Sequence, residues 1–172
     1  MSRPVIPDEL PDEMRTNSRP LIERFEVDEI LYRRVPPESR YFDFDRVRIE
    51  IDSVDLPDMS VNRGTLSQPS WLLVDFPNAG VAAFHVRDIP PPLQHLGTIW
   101  YTSFAKHRPL KKNYAHSQIE AYEAERPLED SSQGIHVDGK KAMIHHPAHL
   151  RWRYQLLQKL RIVINPVLVD PA

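Results

Sequence analysis

Three histidines, His145, His146 and His149, fall within five residues of the stretch GKKAMIHHPAHLRWRYQLLQKLR at 139–161. Neutral imidazole is the commonest metal ligand, so this set is the candidate metal site, serving a histidine-based hydrolase. Two ligands four residues apart align only when both lie on one helix face. Pro147 suits a first helical turn, which leaves His145 outside that helix. No Asp or Glu occurs between Gly139 and Val169, so a completing carboxylate comes from elsewhere in the chain. The plainer alternative is a hairpin end that leads into a helix.

The same stretch holds Lys140, Lys141, Arg151, Arg153, Lys159 and Arg161. A nucleic-acid surface gathers such charges on one side. On a helical wheel they spread instead. Arg151 and Lys159 lie with Gln155 and Gln158, whereas Arg153 falls among Leu150, Leu156, Leu157 and Leu160. An arginine on an apolar arc needs a buried partner or a ligand.

A second group is NYAHSQIE, where His116 and Glu120 stand one turn apart if the segment is helical. Such a pair serves acid–base chemistry, or is an ordinary surface contact. Asn113, Tyr114 and Ser117 add polar groups beside it.

A third pattern spans LYRRVPP, MSVNRGTLSQPS and YEAE. An arginine leaving a short strand, then a serine segment, then Glu-x-Glu resembles the Arg/Ser/Glu pattern of ADP-ribosyltransferases and the related RES-type toxins that consume NAD. The resemblance implies that Arg33 or Arg34 holds a phosphate, Ser67 props the site, and Glu123 or Glu125 stabilises charge at the ribose. Taken with the His116–Glu120 pair, the catalytic candidates are Arg33, Ser67, His116, Glu120 and Glu125, and the candidate cofactor contacts are Arg33, Asn62 and Arg63. The segment around Ser67 is not the family's Ser-Thr-Ser, and the glycine-rich motif of RES proteins is absent. The blocks LYRRVPP, SVNRG, GVAAFHVRDIP and NYAHSQI are also similar to stretches of bacterial proteins, which implies a bacterial source.

The elements expected to position these residues are mostly strands. DRVRIEIDS alternates, with Val47, Ile49 and Ile51 opposite Arg46, Arg48 and Glu50. PSWLLVDFP and GVAAFHVRDIPPP are strand candidates bounded by proline, and TIWYTSFAKH alternates again. NYAHSQIEAYEAE places Tyr114, Ala115, Ile119, Ala121 and Tyr122 on one helical arc with Asn113 as N-cap, although its tail also alternates. Asp138-Gly139 signals a hairpin. A helix follows from Pro147 to about Lys159, and RIVINPVLV reads as a final strand stopped by Pro166. The expectation is one α+β domain over 21–172: a largely antiparallel sheet with two or three helices packed on it. Residues 1–20, with four prolines and no periodicity, read as a flexible tail or a segment draped over a neighbour.

Composition narrows the function classes. The 172 residues carry a formal charge of −2, so no global field draws the chain to nucleic acid or anionic lipid. There is no cysteine, which removes disulfides, thiolate nucleophiles and sulfur-ligated zinc and suits a reducing cytoplasm. Neither a signal peptide nor a membrane span is read. Five scattered glycines against seventeen prolines leave no phosphate-cradling glycine loop and no G-x-S-x-G elbow. The leading expectation is a small soluble, cytoplasmic component that binds a protein partner, with no membrane and no cofactor. Proline-rich segments such as DIPPPLQHL offer rigid contact surfaces for it. The alternatives are the NAD-consuming enzyme, the metal hydrolase and a nucleic-acid binder.

Overall fold

The computed structural model describes residues 2–55, 58–95, 97–128, 140–141 and 147–169. Its strands, in chain order, are β1 (Ile30–Val35), β2 (Phe42–Asp43), β3 (Arg48–Ile49), β4 (Asp58–Arg63), β5 (Gly80–His85), β6 (Leu93–His95), β7 (Ile99–His107), β8 (His116–Ala124), β9 (Lys140–Lys141) and β10 (Arg161–Ile164). One α-helix, α1 (Pro147–Leu157), accompanies them. The main sheet runs β10-β5-β1-β4-β8-β7-β6, with β9 also pairing β8, and every pairing is antiparallel. It curls into a half-barrel.

This corrects the α+β expectation. Among the described residues α1 is the one helix of seven residues or more, and the architecture is sheet-dominated. The expected helix at 113–125 is instead β8. Its first half pairs β4 through Asn62↔His116 to Asp58↔Glu120, and residues 117–124 pair β7. Ladder bonds on both edges outweigh a weak helical arc, because a packed two-sided strand satisfies every backbone group. Ile119 and Ala121 turn into the core while Gln118 and Tyr122 alternate away.

Two expected strands also change. In DRVRIEIDS the Asp43 carboxylate accepts from the Asp45 and Arg46 backbone N–H groups at 3.1 and 3.0 Å, forcing a turn. Val47 takes a positive φ of 54°, leaving only the two-residue β3 paired to β2. PSWLLVDFP forms a 3-10 helix at Pro69–Leu73, its proline at the first turn. By contrast β5, β7, β10 and the start of α1 at Pro147 lie where periodicity placed them. The Asp138-Gly139 hairpin lies outside the described residues.

The main core fills the inner face of the curl. Leu31, Met59, Val61, Phe84, Tyr101 and Ile119 meet Trp152 and Leu156 of α1 there. Arg153 finds the buried partners its wheel position required. Its Nε donates to the Val54 carbonyl at 2.6 Å and an Nη to the Ile51 carbonyl at 3.0 Å, pinning α1 to the 3-10 turn Ile51–Ser53. On the outer face Leu73, Ala79, Val81 and Ile164 form a second cluster under the 3-10 helix 69–73.

The segment before β1 lies along the sheet. Arg3 donates to the carbonyls of Pro77 and Ala79, each at 2.6 Å, and to that of Asn165. Met14 is buried, and its carbonyl accepts the Tyr114 N–H at 2.7 Å. Further along, the Ile22 N–H donates to Nδ1 of buried His107 at 2.8 Å, while His107 Nε2 donates to the Tyr114 carbonyl at 2.6 Å.

That histidine predicts an acid sensitivity. Burial lowers its pKa, with help from nearby Arg63 and Arg19 and against the Tyr114 bond and Glu29. A folded-state value below the unfolded one means that the unfolded chain binds the extra proton. The contribution is therefore intact above the ordinary imidazole value of ~6.5 and is lost as pH falls from there through the folded-state value. A proton on Nδ1 also points at the Ile22 N–H. Urea denaturation between pH 8 and 5 will show a falling stability in the wild type and a flatter profile in His107→Gln. Equal slopes would remove His107 as the cause.

Candidate functional site

A cleft of about 370 Å³ opens on the outer face of the sheet. Its floor is β4 and the start of β8, its walls the 71–76 segment and the 110–113 turn. The register builds the floor directly. Tyr32 pairs Asn62, and Asn62 pairs His116, so one row across β1, β4 and β8 faces the same way. Asn62 and Asn113 exchange amide hydrogen bonds at 3.0 and 3.4 Å, and Asn62 also donates to Ser67 Oγ at 3.3 Å. Nδ1 of His116 donates to the Arg108 carbonyl at 2.6 Å, which leaves Nε2 as its other ring nitrogen, with no protein partner among the described residues.

Three cations line this cleft: Arg33, Arg34 and Lys112. β1 and β4 pair only at Leu31↔Arg63 and Tyr32↔Asn62 before they diverge. Arg33 occupies the divergence, donating to the Ser53 and Ser60 carbonyls at 3.1 and 3.0 Å. By register it pairs Ala82 on the face of Leu31 and Val35, and it borders the cleft only at this gap. Enclosing protein pulls its pKa down to about 10, and neighbouring Arg34 adds to that fall while Asp55 and Tyr41 oppose it. It remains a cation at neutral pH. Arg34 lies over the Phe76 ring, 3.4 Å from its centroid. Burial lowers its pKa too, and Asp75 raises it. Asp75 is the one acid among the described lining residues.

Of the residues singled out from sequence, Arg33, Asn62 and His116 line this cleft, and Ser67 is tied to it through Asn62. Arg63 does not. It lies on the inner face in a buried bidentate pair with Glu29, Nε to Oε1 at 2.7 Å and Nη2 to Oε2 at 2.8 Å. Glu120 is four strand residues from His116, about 13 Å, rather than one helical turn. Arg108 clamps both its oxygens at 2.7 and 3.1 Å, and Tyr122 donates to it at 2.8 Å. Burial and that bond push the Tyr122 hydroxyl up to about 12, so it stays a donor. Glu125 follows the far end of β8, about 30 Å along the strand from His116. Glu123 accepts from the Tyr101 hydroxyl at 2.6 Å on the inner face. His145 and His146, and the side chain of His149, lie outside the described residues. Among the described residues no group of three or more His, Asp or Glu could hold a metal.

Sequence reading missed Lys112, Trp71, Asp75 and Phe76. Lys112 sits in a turn closed by the Leu110↔Asn113 bridge, and the other three lie inside the segment PSWLLVDFP, which reads as a strand. A second cleft of about 380 Å³ lies beyond Trp71, which lines both, and includes Arg19, Thr65, Ser67 and Tyr114. Comparison of the chain with protein-family profiles, with curated proteins and with solved structures finds no match. No described helix is long and apolar enough to cross a membrane.

Proposed function

We propose that the protein is a binding component whose outer cleft receives an anionic, extended segment of a protein partner. One observation carries the reading. Arg33, Arg34 and Lys112 gather in one cleft against a single acid, while the carboxylates a catalytic reading needs are clamped or lie at the other end of β8. Unbalanced cations in a low-dielectric recess favour an anionic visitor. The cleft's 370 Å³ is at the low end of the roughly 300–1,000 Å³ typical of ligand sites, which suits one or two side chains. Trp71 as a shared wall lets a segment run on into the second cleft.

The test uses two fluorescent peptide mixtures of equal length, one rich in Asp and Glu and one in Lys and Arg. The acidic mixture will bind, weaken as salt is raised, and lose at least tenfold in affinity to Arg34→Glu. Equal binding of both mixtures would sink the proposal. So would nicotinamide release from NAD that disappears in Arg33→Ala, since that result makes the cleft catalytic.

A further inference from the structure

We infer that the anionic group this cleft is built for is a phosphate monoester carried on a partner's side chain, rather than a carboxylate. The inference rests on the binding role proposed above and names its ligand.

Charge is the first ground. Three full positive charges line the cleft against one negative, a surplus of two. A carboxylate cancels half of that, whereas a phosphate monoester carries about −1.5 to −2 near neutral pH. Asp55 moderates Arg33 from outside the lining but does not enter the cleft.

Donor supply is the second. The guanidinium groups of Arg63, Arg108 and Arg153 are each spent on protein oxygens, and Arg33 spends two of its donors likewise. Arg34 differs. It is held against Phe76, half-buried, and makes no hydrogen bond to a described residue. A guanidinium has five N–H donors in a fixed fork, the geometry that matches phosphate oxygens two at a time. Lys112 approaches from the 110–113 turn and His116 from the start of β8, so polar groups reach the cleft from three separate elements. A tetrahedral group presents oxygens in three directions, and a planar carboxylate presents two in one plane.

The third ground is His116. Its Nδ1–H is committed to the Arg108 carbonyl, so a neutral ring offers Nε2 as a lone pair. That lone pair faces a carboxylate unfavourably. A phosphate monoester has its second ionisation near pH 6 and brings a proton that it can share with Nε2. Arg33, Arg34, Lys112 and Asp75 line the cleft with His116, and Glu120 further along its strand face is neutralised by Arg108.

The source is a side chain and not a free phosphate, because a second cleft adjoins this one at Trp71 and offers a place for a flanking residue. Calorimetric titration of the full chain will use seven-residue peptide mixtures with random flanks. Their central residue is fixed as phosphoserine, phosphothreonine, phosphotyrosine or glutamate, and inorganic phosphate and AMP serve as separate probes. At least one phosphorylated mixture will bind tenfold or more tighter than the glutamate mixture, and tighter than either free phosphate or AMP. Arg34→Gln and Lys112→Gln will each lose about tenfold for it while the circular-dichroism melt is unchanged. Glutamate binding as well as phosphate would overturn the inference and leave the acidic-segment reading standing. Tighter binding of AMP, or binding indifferent to Arg34→Gln, also overturns it. Failure of all the peptides brings down both readings.

Discussion

Replacing Glu29 with glutamine will lower the free energy of unfolding by about 3–5 kcal/mol, read from urea denaturation. The Arg63 and Glu29 side chains are 4% and 2% exposed, so water does not reach the pair. Arg63 also donates to the Ile22 and Arg24 carbonyls at 2.5 and 2.7 Å and lies 3.8 Å from the Phe25 ring centroid. Thr65 Oγ1 gives Glu29 a further bond at 3.0 Å. Glutamine keeps the shape but removes the charge and turns an N–H₂ towards a guanidinium. A buried cation is then left without its counter-ion. The joint change Arg63→Met with Glu29→Leu will recover a large part of the loss, because removing both charges also removes their desolvation cost. A Glu29→Gln loss below about 1 kcal/mol would mean that solvent screens the pair after all.

The next largest effect belongs to Trp152. Its side chain is fully buried, and its ring meets Tyr101 edge-on at 6.2 Å and 62°. Trp152→Ala opens a cavity among Leu31, Met59, Phe84 and Ile119 and will cost about 3–5 kcal/mol. Trp152→Phe is the informative control. The indole Nε1 has no hydrogen-bond partner among the described residues, so phenylalanine forfeits volume but no bond. Its cost will stay below about 1.5 kcal/mol. Thermal melts of both variants check the pair of values. Equal losses would show that the indole nitrogen matters more than the ring's bulk.

How far the fold was legible depends on which periodicity had a rival. β5, β7 and β10 carry apolar runs or alternation bounded by Gly and Pro, and no helical arc competes. Residues 116–124 did have a rival, since Ile119 and Ala121 belong to an apolar arc at 100° per residue and also share one face at 180°. The decision was made by neighbours: β4 and β7 on either edge, which a single segment does not reveal. The alternation at 46–51 was real but lay in a chain already turned by Asp43. Within the site, Arg33, Asn62, Ser67 and His116 were visible as polar residues of short motifs, though His116 stood in a block read as helix and Asn62 and Ser67 in a serine segment with no element assigned. Arg63, adjacent to Asn62, had the same appearance and went to the opposite face, because strand parity separates neighbours. Lys112 and Phe76 carried no local signal. Only the register that places a turn and a 3-10 segment over β4 makes them part of the cleft.

The contacts of Arg3 have a consequence for the order in which the chain assembles. Arg3 and Asn165 are 162 positions apart, and β10 reaches back to pair β5 through Arg161↔Ala83. Closing spans of that length costs loop entropy before any contact rewards it, and proteins dominated by such pairings fold in milliseconds to seconds rather than microseconds. The β7–β8 hairpin needs only a short loop and supplies a local nucleus. The clasp made by Arg3 comes at the other extreme. It closes only over a sheet that already holds β10 against β5, so it acts as the last fastener of the native state and the first to come undone.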